Sequence, residues 1–244
     1  MLANMNVWNP KTMDSNEFSI SQFWMTAGDS ADFDTIEAGI TVDDNLYGDY
    51  QTRLFTYWTV CVLIFDFPAS TSHVYIHYFI FEKMMDIKGQ VAAIWIALAL
   101  FKSTTRLRRV QPSPLIPAMV VTNDIDGNGD WWLRIAERDF GYWPSSLFSL
   151  LSNSASSVQW GGEVTNIMLG DKHTTTQMGS GHFPEEGPGK ASFFNTLNVI
   201  DGKTVQRPPW NSHTVITNPN CYNLIVNSED FFYYGGPGRN PNCP

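Results

Sequence analysis

Long apolar runs are missing from this sequence: no stretch approaches the eighteen or so residues a membrane-spanning helix needs. The longest candidate, Val91 to Phe101 (VAAIWIALALF), is bracketed by Lys88 and Lys102 and is too short to cross a bilayer untilted, so a buried segment is expected there. The first residues, Met1-Leu2-Ala3-Asn4-Met5, lack the charged start and apolar centre of a signal peptide. Basic charge is scarce as well. Fifteen Lys and Arg against 24 Asp and Glu give a net charge of −9, which argues against partners recognised through phosphate backbones or anionic lipid. Charged residues of both signs amount to only 16%, beside 43% hydrophobic residues, and that balance excludes disorder as a description of the chain. Cysteine is rare and odd in number: three thiols cannot all pair with one another. Cys-x-x-Cys pairs, phosphate-cradling glycine loops and a Gly-x-Ser-x-Gly elbow are all missing, which removes the basis for zinc-finger, nucleotide and serine-hydrolase readings. No cofactor and no metal are expected.

What is present divides into two materials. Of 18 glycines, Gly89 is the only one between Gly48 and Gly127. The stretch from Val60 to Ala118 carries a net charge of +3 through Lys83, Lys88, Lys102, Arg106, Arg108 and Arg109, and the remainder carries −12. A solvated basic run is the expectation for Arg106, Arg108 and Arg109. Outside this stretch the periodicity is that of strands. Phe18, Ile20 and Trp24 alternate with Ser19, Ser21 and Phe23; Ile36, Ala38, Ile40 and Val42 alternate with Glu37, Gly39 and Thr41; Trp160, Gly162 and Val164 alternate with Gly161, Glu163 and Thr165. Arg53 to Trp58, Trp131 to Ile135, Thr174 to Ser180, Ala191 to Val199 and Phe231 to Tyr234 are further strand candidates. Turn residues separate these runs at short intervals, as in a sandwich. Pro144 followed by Ser145 to Ser154 predicts one helix with Leu147, Phe148, Leu150 and Leu151 as its apolar face. The expected class is all-β, an antiparallel β-sandwich of two stacked, jelly-roll-like sheets with one short helix and an irregular middle segment.

Three groupings invite chemistry. Asp124 to Asp130 (DIDGNGD) imitates the start of a calcium loop, but Ile135 stands where the bidentate Glu belongs, and a hairpin turn is the better reading. His73 and His77 have helical i,i+4 spacing without the intervening Glu of a zinc protease. Glu37 (TIEAG) and Glu163 (WGGEV) each sit mid-strand, opposite the apolar face, among the small residues Ala38, Gly39, Gly161 and Gly162. Small neighbours let a substrate backbone approach a carboxylate. Two such carboxyls sharing a cleft, one kept protonated by the other's charge, form an acid–base pair; alternatively both are solvated on an outer sheet face. Glu185-Glu186, between Pro184 and Gly187, reads as loop charge.

Ordered blocks carry a family resemblance: Val7-Trp8-Asn9-Pro10, Glu17 to Gln22 (EFSISQ), Thr35 to Gly39, Leu46-Tyr47-Gly48-Asp49, Thr52 to Trp58 (TRLFTYW), Gly141-Tyr142-Trp143-Pro144, Trp160 to Val164, Thr176 to Pro184 (TQMGSGHFP) and Tyr233 to Pro241 (YYGGPGRNP). Over roughly residues 6 to 59 and 119 to 244 the chain resembles the catalytic domain of plant neprosin-like proteins. The resemblance implies a secreted glutamic endopeptidase, extracellular or vacuolar, that acts in acid on proline-containing peptides or proteins. It also implies an antiparallel β-sandwich and a catalytic pair of glutamates at the matching positions, Glu37 and Glu163. In that mechanism one carboxylate deprotonates a water that attacks the scissile carbonyl, and the other, as an acid, stabilises the oxyanion and protonates the leaving nitrogen. Gln22 and Gln177 are candidates to orient the water or hydrogen-bond the intermediate, or else are satisfied buried amides. Tyr47, Tyr57, Trp160 and Tyr233 are candidates to stack on a substrate proline, with core packing as the alternative.

The sequence also departs from the family pattern. Family members carry aromatics where this chain has Ile40 and Asp43, and a Gly-Cys-Tyr…Cys segment where Val60 to Ala118 stands, so residues 60–118 are read as an aberrant insert within a single catalytic domain, 1–244, lacking the family's signal peptide and pro-domain. The resemblance also implies a Cys221–Cys243 disulfide, which leaves Cys61 unpaired. A bridge closing that loop contributes roughly 3 kcal/mol in the chain-entropy account. A monomer is expected, without nucleic acid or membrane partners. The competing expectations are a non-catalytic sandwich that binds peptide or cell-wall polymer, and an inactive fragment.

Overall fold

The computed structural model describes residues 1–29, 32–60, 115–124, 127–168, 172–202 and 205–244. Cys61, His73, His77, the Val91 to Phe101 run, the Arg106 to Arg109 cluster and most of the expected insert lie outside the described residues, as do Ile125 and Asp126 of the calcium-like loop. The described chain forms two antiparallel sheets packed face to face.

The smaller sheet contains β2 (Phe18–Gly28), β3 (Phe33–Asp43), β4 (Arg53–Thr59) and β8 (Ser157–Val164) in the order β4-β3-β2-β8. The larger sheet runs β11-β12-β9-β1-β5-β6-β7, with β1 Leu2–Asn6, β5 Leu115–Asn123, β6 Trp131–Ile135, β7 Arg138–Trp143, β9 Ser192–Ile200, β11 Asn223–Ser228 and β12 Phe231–Gly235. The short strand β10 (Gln206–Arg207) pairs with β9. Residues 115–118, the end of the expected insert, belong to β5 and pair with β1.

Side chains alternate across each strand, so one face of each sheet meets the other sheet and the second face stays outside. From the smaller sheet Phe23, Met25, Ile36, Ala38 and Ile40 enter the core; from the larger come Met5, Met119, Val121, Leu133 and Phe194. Burying each such large side chain contributes about 1.5–3 kcal/mol, which fixes the register of both long strands. Tyr234 on β12 crosses between the sheets, and its buried hydroxyl donates to Ser21 Oγ at 2.6 Å.

β2 turns over relative to the sequence expectation. Its core face consists of Ser19, Ser21, Phe23, Met25 and Ala27, and Phe18, Ile20 and Trp24 lie half-buried on the outer face. Serines and an alanine complete the core face because the facing side chains, Tyr234 among them, need small neighbours.

The predicted helix after Pro144 is a single 3-10 turn, Ser145–Leu147. The buried Asp34 carboxylate accepts from the backbone N–H groups of Leu150 (2.6 Å) and Leu151 (3.0 Å), the donors that would continue the helix. Phe148 and Leu151 are buried, while Leu147 and Leu150 stay exposed. The α-helical turn lies elsewhere: α1 (Asp44–Tyr47) is capped by Asp43, whose side chain accepts from Leu46 N, and ends at Gly48 in the left-handed conformation.

Thr174 to Ser180 is a loop with one bridge, Met178 to Gly236. Thr174 and Thr176 donate their hydroxyls to the fully buried Glu17 carboxylate, and Gly179 takes a φ of +63°, which breaks the extended backbone. The Asp124 to Asp130 region is the β5–β6 hairpin connection, with Asn123 facing Trp131 and Asp124 N donating to Asp130 O at 2.8 Å.

Candidate active site

The outer face of the smaller sheet is built from every second residue of its four strands. Cross-strand pairing places Glu37 directly between Trp24 on β2 and Tyr57 on β4. Glu163 on β8 stands opposite Ile20, and Gln22 stands between Gly39 and Gly161. Directly paired residues share a face, so Glu37, Gln22 and Glu163 project from the same side of the sheet, with Gln22 in the middle. On an ideal flat sheet the two glutamate Cα atoms would be about 16 Å apart, two strands across and four residues along.

Glycine opens this middle position. A Cβ at Gly39 would meet Ser21 O at 2.2 Å and Gln22 Cβ at 2.6 Å, so only glycine lets β3 come this close to Gln22. A Cβ at Gly161 would touch only the Trp24 ring, at 3.8 Å. Gly162 serves the opposite face, where a Cβ would collide with Met178 and Tyr234 inside the core. Gln22 is fully buried, and neither its Oε1 nor its Nε2 reaches a protein partner at hydrogen-bonding geometry. An amide buried this way is costly unless a water or ligand completes it.

The two carboxyls differ in environment. Glu37 is half-buried on an interior strand, and its pKa is pushed up to about 7, first by burial and then by the charge of Glu163. Gln22, Thr35 and Trp24 partly oppose this by favouring the ionised form. Thr35 Oγ1 lies 3.4 Å from Glu37 Oε1 and 3.0 Å from Thr59 Oγ1. Glu163 is exposed on the edge strand, yet the surrounding walls remove enough of its hydration to raise its pKa as well. Tyr57 feels the same charge: burial and Glu37 raise its pKa.

A groove of about 1620 Å³ runs along β8. Glu163, Gly161 and Trp24 line it together with Trp210, Val215 and Ile216, whereas Glu37 stands outside, beyond Trp24.

The remaining sequence candidates are spread over the fold. Trp160, opposite Phe23, points to the core side and packs against the hydrophobic cluster. Tyr47 sits in α1, four residues past Asp43, the end of β3 farther from Glu37, with the Arg53 guanidinium 4.7 Å over its ring; burial raises its pKa to about 12. Gln177 joins its loop to the N-terminal segment, donating its N–H to Lys11 O (2.8 Å) and accepting Lys11 N on Oε1 (3.0 Å). Tyr233 belongs to the larger sheet, packed edge-on against Phe193 and tilted against Phe231. Gln22 and Tyr57 are the two that share the face with both glutamates. Trp24 and Thr35 also belong there; alternation with Gln22 and Glu37 was the signal for them, obscured by reading Trp24 as a core residue.

Cys221 and Cys243 form a disulfide across 22 residues. Among the described residues these two sulfurs and the His173 ring make up the one cluster of three metal-ligand types, within 4.8 Å of one another, but sulfurs joined in a disulfide are not thiolate ligands. Among the described residues no helix is long and apolar enough to cross a membrane.

The family model of Neprosin matches the chain in two parts, residues 15–62 and 108–237, which together span well over half of it and include Glu37, Gln22 and Glu163.

Proposed function

The chain belongs to the Neprosin family, and on that footing we propose that it is a proline-directed glutamic endopeptidase in which Glu163 is the general base and Glu37 the general acid. The observation that carries this reading is a carboxyl pair on one sheet face, unequal in hydration, flanking a buried amide whose hydrogen bonds to protein are not well formed. Glu163, the more exposed, ionises first; Glu37 keeps its proton up to about pH 7. A pair split in this way holds one acid and one base in the same molecule.

The reaction then needs no covalent enzyme intermediate. The Glu163 carboxylate takes a proton from water as the oxygen attacks the scissile carbonyl carbon. The Glu37 hydroxyl donates to the developing oxyanion and then delivers its proton to the leaving nitrogen as the C–N bond breaks. Proton exchange with solvent returns Glu163 to the carboxylate and Glu37 to the acid. The Gln22 amide lies between the two carboxyl positions, from where its Nε2–H groups would reach the oxyanion once substrate displaces what buries it. Activity is confined to acidic pH because Glu37 loses its proton above about 7.

The test is hydrolysis of proline-containing peptides by the expressed chain between pH 3 and 8. Glu37→Gln and Glu163→Gln are each expected to lower kcat by about 10²–10⁴-fold at unchanged circular dichroism. Rates in both variants equal to the parent overturn the reading. Peptide retention by the parent and both variants, with hydrolysis by none, would establish a binding module instead.

A further inference from the structure

From the placement of one ring across the sheet we infer that Trp24 is the positioning and specificity-determining residue of this site, anchoring Glu37 at one edge and offering its face to a substrate proline at the other. The inference rests on the peptidase reading above and assigns a residue that reading leaves unused.

Trp24 is the direct cross-strand neighbour of Glu37 on one side and of Gln159 on the other. Its six-membered ring extends diagonally over β8, with Cζ3 3.8 Å from where a Cβ of Gly161 would lie. The ring therefore covers the glycine that separates Gln159 from Glu163 and spans the distance between the two carboxyl-bearing strands. It lines the groove, while Glu37 stands behind it. The side chain is only partly buried. An indole offers one N–H donor and no acceptor, and the direct pairing of Trp24 with Glu37 on the outer face sets that donor beside a carboxyl whose ionised form it favours. The remaining groups facing Glu37 are Tyr57 from β4, Thr35 from its own strand, Gln22 from β2 and the Glu163 charge from β8. No other aromatic side chain on this face lies between the two glutamates among the described residues: Tyr57 flanks Glu37 on the far side, and Trp160 points into the core. A flat, rigid apolar surface beside the reacting carbonyl suits the pyrrolidine ring of proline, which has no N–H to satisfy.

Two substitutions separate the two roles. Trp24→Phe keeps a ring and removes the donor; Trp24→Leu removes both. The substrates are two octapeptides identical except for proline or alanine beside the cleaved bond. Trp24→Phe is expected to retain the preference for proline while the alkaline limb of kcat/KM moves upward by ~0.5 pH unit, since Glu37 loses a donor to its charged form. Trp24→Leu is expected to reduce the proline-to-alanine ratio of kcat/KM about 2- to 10-fold, mainly through KM. The affinities of the same peptides for Glu163→Gln and for Glu163→Gln combined with Trp24→Leu, measured by calorimetry, are expected to show the same loss without any turnover. Glu-dependent hydrolysis with an unmoved limb in Trp24→Phe and an unchanged ratio in Trp24→Leu overturns the inference alone. Absence of Glu-dependent hydrolysis overturns the peptidase reading, and the calorimetric comparison then decides the role of Trp24. If Trp24→Leu does not fold, the limb in Trp24→Phe decides.

Discussion

Replacing Glu37 with glutamine is expected to make the protein more stable at neutral pH while removing the proposed peptidase activity. The ordinary glutamate value of 4.5 is pushed up to about 7 in the folded chain. Between those two values the folded state holds a proton that the unfolded state has released, so stability falls as pH rises through the window and is lowest above it. A difference of this size corresponds to about 3 kcal/mol at pH 8, an upper figure because Glu37 is only half-buried and water relaxes part of the cost. Glutamine has nearly the same shape and no proton to lose, so Glu37→Gln escapes the penalty. For a chain of this size that means a Tm up to about 6–12 °C above the parent at pH 8. At pH 4 parent and variant are both neutral at this position and should melt within about a degree or two of each other. Thermal unfolding followed by circular dichroism at pH 4, 5, 6, 7 and 8 measures the difference directly. A constant offset across this range, or a parent more stable than the variant at pH 8, would refute the idea that burial and Glu163 hold the proton on Glu37.

Two further outcomes follow from local geometry. Glu17 is fully buried, and its carboxylate accepts Thr174 Oγ1 at 2.5 Å, Ile167 N at 3.1 Å and Thr176 Oγ1; Glu17→Ala strands these donors and should cost about 3 kcal/mol in urea unfolding, with Glu17→Gln losing less. Gly39→Ala drives a methyl group into Ser21 O and Gln22 Cβ; it should lower stability by about 1–3 kcal/mol and kcat by more than tenfold, and an alanine variant with parental Tm and kcat would show that β3 and Gln22 are not in close register.

The strands were legible where one face is apolar and the other polar or small. In β3 the alternation of Ile36, Ala38, Ile40 and Val42 with Glu37 and Gly39 is strict, and the structure buries the first set. In β2 both faces carry large apolar residues, so alternation alone did not say which face meets the partner sheet; Tyr234, more than two hundred residues later, decides it by bonding Ser21. The segment after Pro144 has a helical pattern, but Asp34 captures the N–H groups the helix needs. In each case the deciding group is distant in sequence, and periodicity contains no term for it. Glu37 and Glu163 were readable as candidates because carboxylates among small residues in mid-strand are unusual. Trp24 was not, because an aromatic residue beside a core strand is ordinary.

Strand order explains how two identical side chains acquire different chemistry. Glu37 lies on β3, which has a neighbour on each side, β2 and β4, and the outer-face residues of both crowd its carboxyl. Glu163 lies on β8, which among the described residues pairs only with β2 and opens on the groove along its other edge. Interior position removes more water and raises the proton affinity of one carboxyl further; edge position leaves the other better hydrated and easier to ionise. In the proposed reaction the base is therefore the residue nearest solvent, where an incoming water is found, and the acid is the residue shielded from it. Exchanging the roles would require Glu37 to ionise first inside the sheet while Glu163 kept its proton at the exposed edge, against the hydration of both. The division of labour is set by where the two strands stand in the sheet, before any substrate arrives.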